Sequence, residues 1–330
     1  MGRSLIVTAI LVLLVLGAAF VVYQRVLGPD AGTNGVVVDD DRVLGPVVTD
    51  GGVETASASV DGGVVLADNR AEIVLARGSV QTRVGDKGPW SNAVVGQQLA
   101  TADSVRAGRN AEATLRMGNG VEVRLSPRSE FTIRELNDRV SKIRLDEGHV
   151  TASVDERGQR VLKVAARGTD AEAESTGGEF GVVTDGNGQL AVATKTGTAK
   201  LTSGGATVDV PAGQTSSASV NGTPSAPRPI PTSLFLKVGS LGATKTNQTQ
   251  VTLTGQADPG SIVRTGDVVA KVDERGRFKV QVPLKDGENT VAVEVLDAQG
   301  RSKIQSLPPI TVDREKPKIE AETTWGAKSP

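Results

Sequence analysis

The 330-residue chain carries 37 Lys and Arg against 38 Asp and Glu, a formal net charge of −1, which excludes the concentrated basic surface that nucleic-acid binding requires. It has no Cys and one His, so disulfides and thiolate catalysis are excluded, and zinc, which needs several His or Cys ligands, has no ligand set. With 39 Gly, 15 Pro, few aromatics and much Val and Thr, the composition opposes helix bundles and predicts an all-β protein long enough for two β-domains and a linker.

In chain order, the first feature is an apolar run from Leu5 to Tyr23 between Arg3 and Arg25. A helix of roughly twenty residues, at about 1.5 Å each, spans the approximately 30 Å hydrocarbon core. Residues 1–24 are therefore expected to form a single transmembrane signal-anchor, in contact with the lipid bilayer over residues 5–23. A cleavable signal peptide is the alternative, with Gly17 and Ala19 before the cut, but the run continues through Phe20, Val21 and Val22. With four residues ahead of the run, the bulk of the chain is expected on the exported, periplasmic side of a bacterial cytoplasmic membrane. Residues 25–70 read as a disordered linker. About 45 coil residues reach roughly 35 to 40 Å, enough to hold a domain clear of the bilayer. Asp39, Asp40 and Asp41 form a solvated charge run, since no Gly turn or distal Glu follows at calcium-loop spacing.

From residue 71 to 220, short alternating segments are punctuated by turns. Ala113, Leu115 and Met117 lead to Gly118-Asn119-Gly120, after which Val121, Val123 and Leu125 resume the period of two. This is a hairpin whose Asn-Gly pair tolerates positive φ. The alternation recurs at Ile143 and Leu145, at Val161 and Val164, and from Val182 to Val192 around Asp185-Gly186-Asn187-Gly188. Strands at this spacing without amphipathic helices predict an all-β domain.

Gly78-Ser79-Val80, Trp90, Gly96, Asp103-Ser104-Val105-Arg106-Ala107-Gly108, Leu125-Ser126-Pro127, Gly148, Gly177, Phe180, Gly197 and Ala212-Gly213-Gln214 occur in an order that resembles the FecR-type domain family. The resemblance covers residues 71–220 and implies a β-rich, solenoid- or sandwich-like domain of an exported signalling protein. Gly178 departs from the family's usual Thr. Regulators of this family that hold sigma factors carry a cytoplasmic helical domain before the membrane helix. This chain has four residues there, so that route to a sigma factor is not expected to transfer. The sequence makes Trp90 a core anchor and its glycines strand terminators. As the one candidate site residue, Trp90 is also a possible stacking platform for a sugar or a partner contact.

Residues 221–231, with Pro224, Pro227, Pro229 and Pro231, read as a stiff Pro-rich linker. From 232 to 313 the alternation returns, with turn chemistry at Asp258-Pro259-Gly260, Asp286-Gly287 and Asp297 to Gly300. This segment resembles bacterial Ig-like domains, which implies a β-sandwich. Residues 314–330 are expected to be a tail, in which Trp325 stands alone.

His149 is the single imidazole, so any Ser-His-Asp triad must use it, and no Gly-x-Ser-x-Gly elbow supplies a nucleophile. The residue is expected on a strand surface. No catalytic, cofactor-binding or metal-binding residues are assigned and no cofactor is expected. The reading is a non-enzymatic, membrane-anchored envelope protein whose partners are envelope or membrane proteins, acting as scaffold or sensory subunit. The alternative is binding of peptidoglycan or polysaccharide through Trp90.

Overall fold

The computed structural model describes residues 69–239, 244–314 and 326. The expected membrane anchor at 1–24, the linker as far as residue 68 and the tail apart from Arg314 and Gly326 lie outside the described residues. No helix among the described residues is long and apolar enough to cross a membrane.

The first part is all strand: β1 (Ala71–Arg77), β2 (Val80–Arg83), β3 (Trp90–Asn92), β4 (Gln98–Leu99), β5 (Ser104–Ala107), β6 (Glu112–Met117), β7 (Val121–Leu125), β8 (Ser129–Leu136), β9 (Val140–Val154), β10 (Val161–Ala166), β11 (Glu172–Ser175), β12 (Gly178–Thr184), β13 (Leu190–Ser203), β14 (Ala206–Pro211), β15 (Gln214–Ala218) and β16 (Arg228–Pro229). A single turn of 3-10 helix, Glu156–Gly158, separates β9 from β10. The strands form one 16-stranded sheet that folds over on itself. One layer runs β4-β1-β6-β7-β9-β12-β13-β15-β16 and the other β3-β2-β5-β8-β9-β10-β11-β13-β14. Only the β9–β10 pair is parallel within these layers.

Two strands belong to both layers, and a glycine explains each. β9 pairs with β8 and β10 up to Glu147 and with β7 and β12 from Gly148 onward. Gly148 has φ +93°, and a Cβ there would lie 2.2 Å from Ser129 Oγ. β13 changes layers in the same way at Gly197, φ +73°, where a Cβ would meet the Gly177 carbonyl oxygen at 2.6 Å. Both glycines were expected to end strands. They bend strands that continue, because only glycine takes this backbone conformation without strain.

The hairpin at Gly118-Asn119-Gly120 forms as expected, with Ala113 opposite Leu125 and Leu115 opposite Val123. The positive φ angles fall on Gly118 and Gly120, leaving Asn119 in ordinary space. Along β7, Val121, Val123 and Leu125 point inward while Glu122 and Arg124 face solvent. The inward-facing side chains of the strands fill the space between the layers, with Phe131, Phe180, Leu115, Ile133, Leu145 and Leu162 among the fully buried side chains.

The second part comprises β17 (Leu236–Val238), β18 (Lys245–Thr246), β19 (Gln250–Ala257), β20 (Ile262–Thr265), β21 (Val268–Ala270), β22 (Arg277–Pro283), β23 (Gly287–Asn289), β24 (Ala292–Leu296), β25 (Ser302–Ser306) and β26 (Ile310–Val312). They form three small sheets, β17-β19-β22, β18-β26-β23 and β21-β20-β24-β25, around one core that includes Leu253, Val263, Phe278, Val293 and Val295. Gly260, Gly287 and Gly300 supply the positive φ that the turns at Pro259-Gly260, Asp286-Gly287 and Asp297 to Gly300 need.

Residues 221–231, read from the sequence as a linker, are tied down. Arg228 and Pro229 pair with β15, the Ser225 N–H donates to the Ser217 carbonyl at 2.8 Å, and the Ile230 N–H donates to the Gly213 carbonyl at 3.0 Å. Ile230 and Leu296 pack on a third apolar cluster of Val183, Ala191, Ala193, Ile262 and Ala298, drawn from both parts. All the described residues therefore belong to one compact unit.

Candidate functional site

Trp90 lies on β3, the edge strand of its layer, and is half-buried outside the core cluster. Pairing places it directly opposite Arg83 on β2, and Arg106 reaches it from β5. The Arg106 guanidinium sits 4.1 Å from the ring centroid and that of Arg83 4.8 Å. Arg106 is held there by two hydrogen bonds to Gln81 Oε1, at 2.9 and 2.7 Å, and Arg83 by one to Ser104 Oγ at 3.2 Å. The core-anchor reading is therefore corrected: the indole stays half-buried outside the core cluster, and two guanidinium groups lie over it in cation–π contact. A sugar stacking on this ring would have to displace an arginine.

His149 is also displaced from its expected surface position. It sits on β9 one residue past the Gly148 bend, and it is 1% exposed beneath the second part of the chain. Its Nδ1 lies 2.8 Å from Ser126 Oγ and its Nε2 3.2 Å from the carbonyl oxygen of Ala298. A carbonyl only accepts, so Nε2 carries the proton and Nδ1 accepts from the Ser126 hydroxyl. Burial pushes the imidazole down to about 4, outweighing the Ala298 carbonyl and nearby Asp297, which favour the charged form. The fold thus brings together a Ser–His pair that no sequence motif signalled. It is poorly suited to acyl transfer: its second nitrogen faces a main-chain carbonyl where a triad has a carboxylate, and burial opposes the imidazolium that must form. The pair works as a structural pin between the two parts.

Around the pin the fit is close. A Cβ on Gly181 would lie 1.9 Å from the Ala298 oxygen, and one on Gly300 would lie 2.7 Å from His149 Cε1. Gly181→Val is therefore expected to wedge the two parts apart, costing about 1–3 kcal/mol as overpacking does. Limited proteolysis would then cut residues 221–231 faster than in the parent protein; unchanged cutting would mean the junction yields easily.

Ion pairs rim the junction. Arg264, 5% exposed, donates to Glu147 at 2.8 Å, and Arg109 donates to Asp267 at 2.6 Å. Arg128 donates to the Gly266 carbonyl at 3.0 Å and lies 3.7 Å from Glu294. Arg228 donates to the carbonyl of Pro259. These partners lie far apart in the chain, so no local pattern reveals them. They flank a cleft of about 420 Å³ lined by Glu130, Asp146, Glu147, Arg167, Asp185 and Asp267 among others. Burial and the nearby Asp146 carboxylate raise the Glu130 carboxyl, while Arg83, Arg106 and Arg167 act against them. Among the described residues, no group of three or more His, Asp or Glu side chains is placed to hold a metal ion.

Residues 103–200 match the family model described as FecR protein, within the 71–220 span over which the sequence resembles that family. The match does not extend to the C-terminal sheets. No curated protein matches the chain. Two crystal structures of a candidate anti-sigma factor from Parabacteroides distasonis ATCC 8503 are similar at 16% and 15% identity, each with a TM-score of 0.34. Each comparison covers 38% of this chain and 59% of the other, so the chain spans about three fifths of those proteins. A polysaccharide lyase aligns over 75% of this chain and 40% of its own length, at 10% identity and a TM-score of 0.18. At these scores the structural likenesses carry no argument. The chain contains an all-β region matching the FecR model, and a second β-rich part is packed against it.

Proposed function

We propose that this protein is a non-enzymatic bacterial envelope component that presents a FecR-type module and an Ig-like module as one rigid surface for other envelope or membrane proteins. It serves there as a scaffold or as the sensory subunit of a signalling complex whose effector is a separate chain. One observation carries the reading: the two β-parts are pinned by a buried apolar cluster, His149 and cross-junction ion pairs, so a partner meets one composite surface. The match of residues 103–200 to the FecR model supports a signalling context. The apolar run at residues 5–23 supports membrane attachment with the rest of the chain exported. Edge strands such as β3 and β25 offer backbone groups for pairing with a partner strand. Peptidoglycan or polysaccharide binding through Trp90 gains nothing from a ring that arginines already cover.

The test is in-cell cross-linking of the full-length chain, followed by mass spectrometry of what residues 70 to 313 capture. Recovery of one defined envelope or membrane protein is the expected result. Recovery of sacculus fragments alone would replace this reading with a glycan tether.

A further inference from the structure

The sheet β17-β19-β22 turns one face to the core of the second part, through Leu236, Leu253, Phe278 and Val280, and the other to solvent. On the solvent face β17 presents Lys237, β19 presents Thr254 and Gln256, and β22 presents Arg277 and Lys279, all of them exposed. Pairing sets Lys237, Gln256 and Arg277 in one row across the three strands and Thr254 beside Lys279 in the next. Two strand spacings put the backbones of Lys237 and Arg277 roughly 10 Å apart, with the shorter side chains of Thr254 and Gln256 between them. The outcome is an open trough of about 570 Å³ with long cationic side chains as walls and a polar floor. Its charge is unbalanced. Asp273 is the one acid lining it, and its oxygens already accept Arg277 Nε at 2.8 Å and the N–H groups of Arg275 and Arg277 at 2.9 and 2.8 Å. Lys237 and Lys279 make no ion pair or hydrogen bond with any described residue. Two ammonium groups on opposite walls thus face one trough with no counter-charge from the protein.

We propose that this trough binds a linear polyanion, a flexible chain bearing phosphate or carboxylate groups at close intervals. The geometry separates this ligand from its rivals. Lysines on opposite walls of an open trough are engaged together by a chain carrying several charges, whereas a single small anion meets one or the other. A flat bilayer would touch the rims and leave the Thr254 and Gln256 floor unused. Nucleic acid gains most of its non-electrostatic affinity by stacking bases on aromatic rings, and the one aromatic lining the trough, Phe278, is buried. A polyanion needs the charges that are present, and Thr254 and Gln256 add hydrogen bonds along its path. The inference goes beyond the interaction reading and does not depend on it, since it is measured with defined polymers on the purified protein.

The experiment is calorimetric titration of the full-length chain, held in a neutral detergent, with inorganic polyphosphate, with polygalacturonate, with neutral dextran and with orthophosphate, at low and raised salt. Saturable binding of at least one polyanion is expected, none of dextran, and binding of orthophosphate at least about a hundredfold weaker; the tighter polymer tells phosphate from carboxylate. Affinity should fall as salt rises. Lys237→Gln and Lys279→Gln should each weaken binding about fivefold at unchanged melting temperature, as for one cation lost from an anionic surface. Lys245→Gln, the same charge change on exposed β18 of another sheet, should leave binding unaltered. No saturable binding of either polyanion would overturn the proposal. So would equal weakening by Lys245→Gln, binding indifferent to Lys237→Gln and Lys279→Gln, or binding confined to phosphatidylglycerol vesicles, which would make the face a bilayer contact.

Discussion

Acidification from neutral pH is expected to destabilise the folded chain by roughly 3 kcal/mol through His149 alone, with the loss falling between pH 6.5 and about 4. In that window the unfolded chain binds a proton on this imidazole and the folded chain does not, so each downward step in pH favours unfolding. Below about 4 both states are protonated and this contribution levels off. Protonation also removes the acceptor that Nδ1 offers Ser126. Other groups act elsewhere or oppositely. Asp155, Asp170 and Asp273 are held below the ordinary carboxylate value, chiefly by hydrogen bonds from Arg157, Gly204 and Arg277, so what they contribute is lost only at still lower pH. Glu130, raised by burial, regains stability as pH falls through its folded value and partly offsets His149. Denaturation midpoints measured across this range for the parent and for His149→Gln separate these terms. The parent should show the drop and the variant a nearly flat profile; equal slopes would remove His149 as the cause.

Phe131→Ala is expected to cost about 3–5 kcal/mol, while Trp90→Ala, which deletes a larger ring, costs no more than about 2 kcal/mol. Phe131 is 0% exposed on β8, opposite Val105 of β5 on one side and Leu145 of β9 on the other, so its loss leaves a cavity between two layers that cannot close on it. Trp90 loses contact only with Arg83, Arg106 and neighbouring surface, all of which can turn to water. Urea unfolding of both variants tests the order. A Trp90→Ala cost equal to that of Phe131→Ala would mean that the indole packs as a core residue after all.

Much of this protein follows from local pattern, because alternation and turn chemistry act over a few residues. The hairpin from Ala113 to Leu125, the strands around Asp185 to Gly188 and the Asp-rich turns of the second part were legible for that reason, as was the all-β class. What failed depended on residues distant in the chain. Period-two alternation says that a strand has an inner face but not which layer receives it, so it could not reveal that β9 and β13 serve both layers through Gly148 and Gly197. A tryptophan in a short strand reads as core until pairing places that strand at an edge beside two arginines. A proline-rich segment reads as a free linker until Arg228 and Pro229 find β15. The same limit holds for the sites. Glu130, Asp185 and Asp267 belong to three separate turns or strand ends, and His149 meets Ala298 across 149 positions. Secondary structure was written in short-range periodicity, but the buried imidazole exists only because packing brought distant groups together and took away its water.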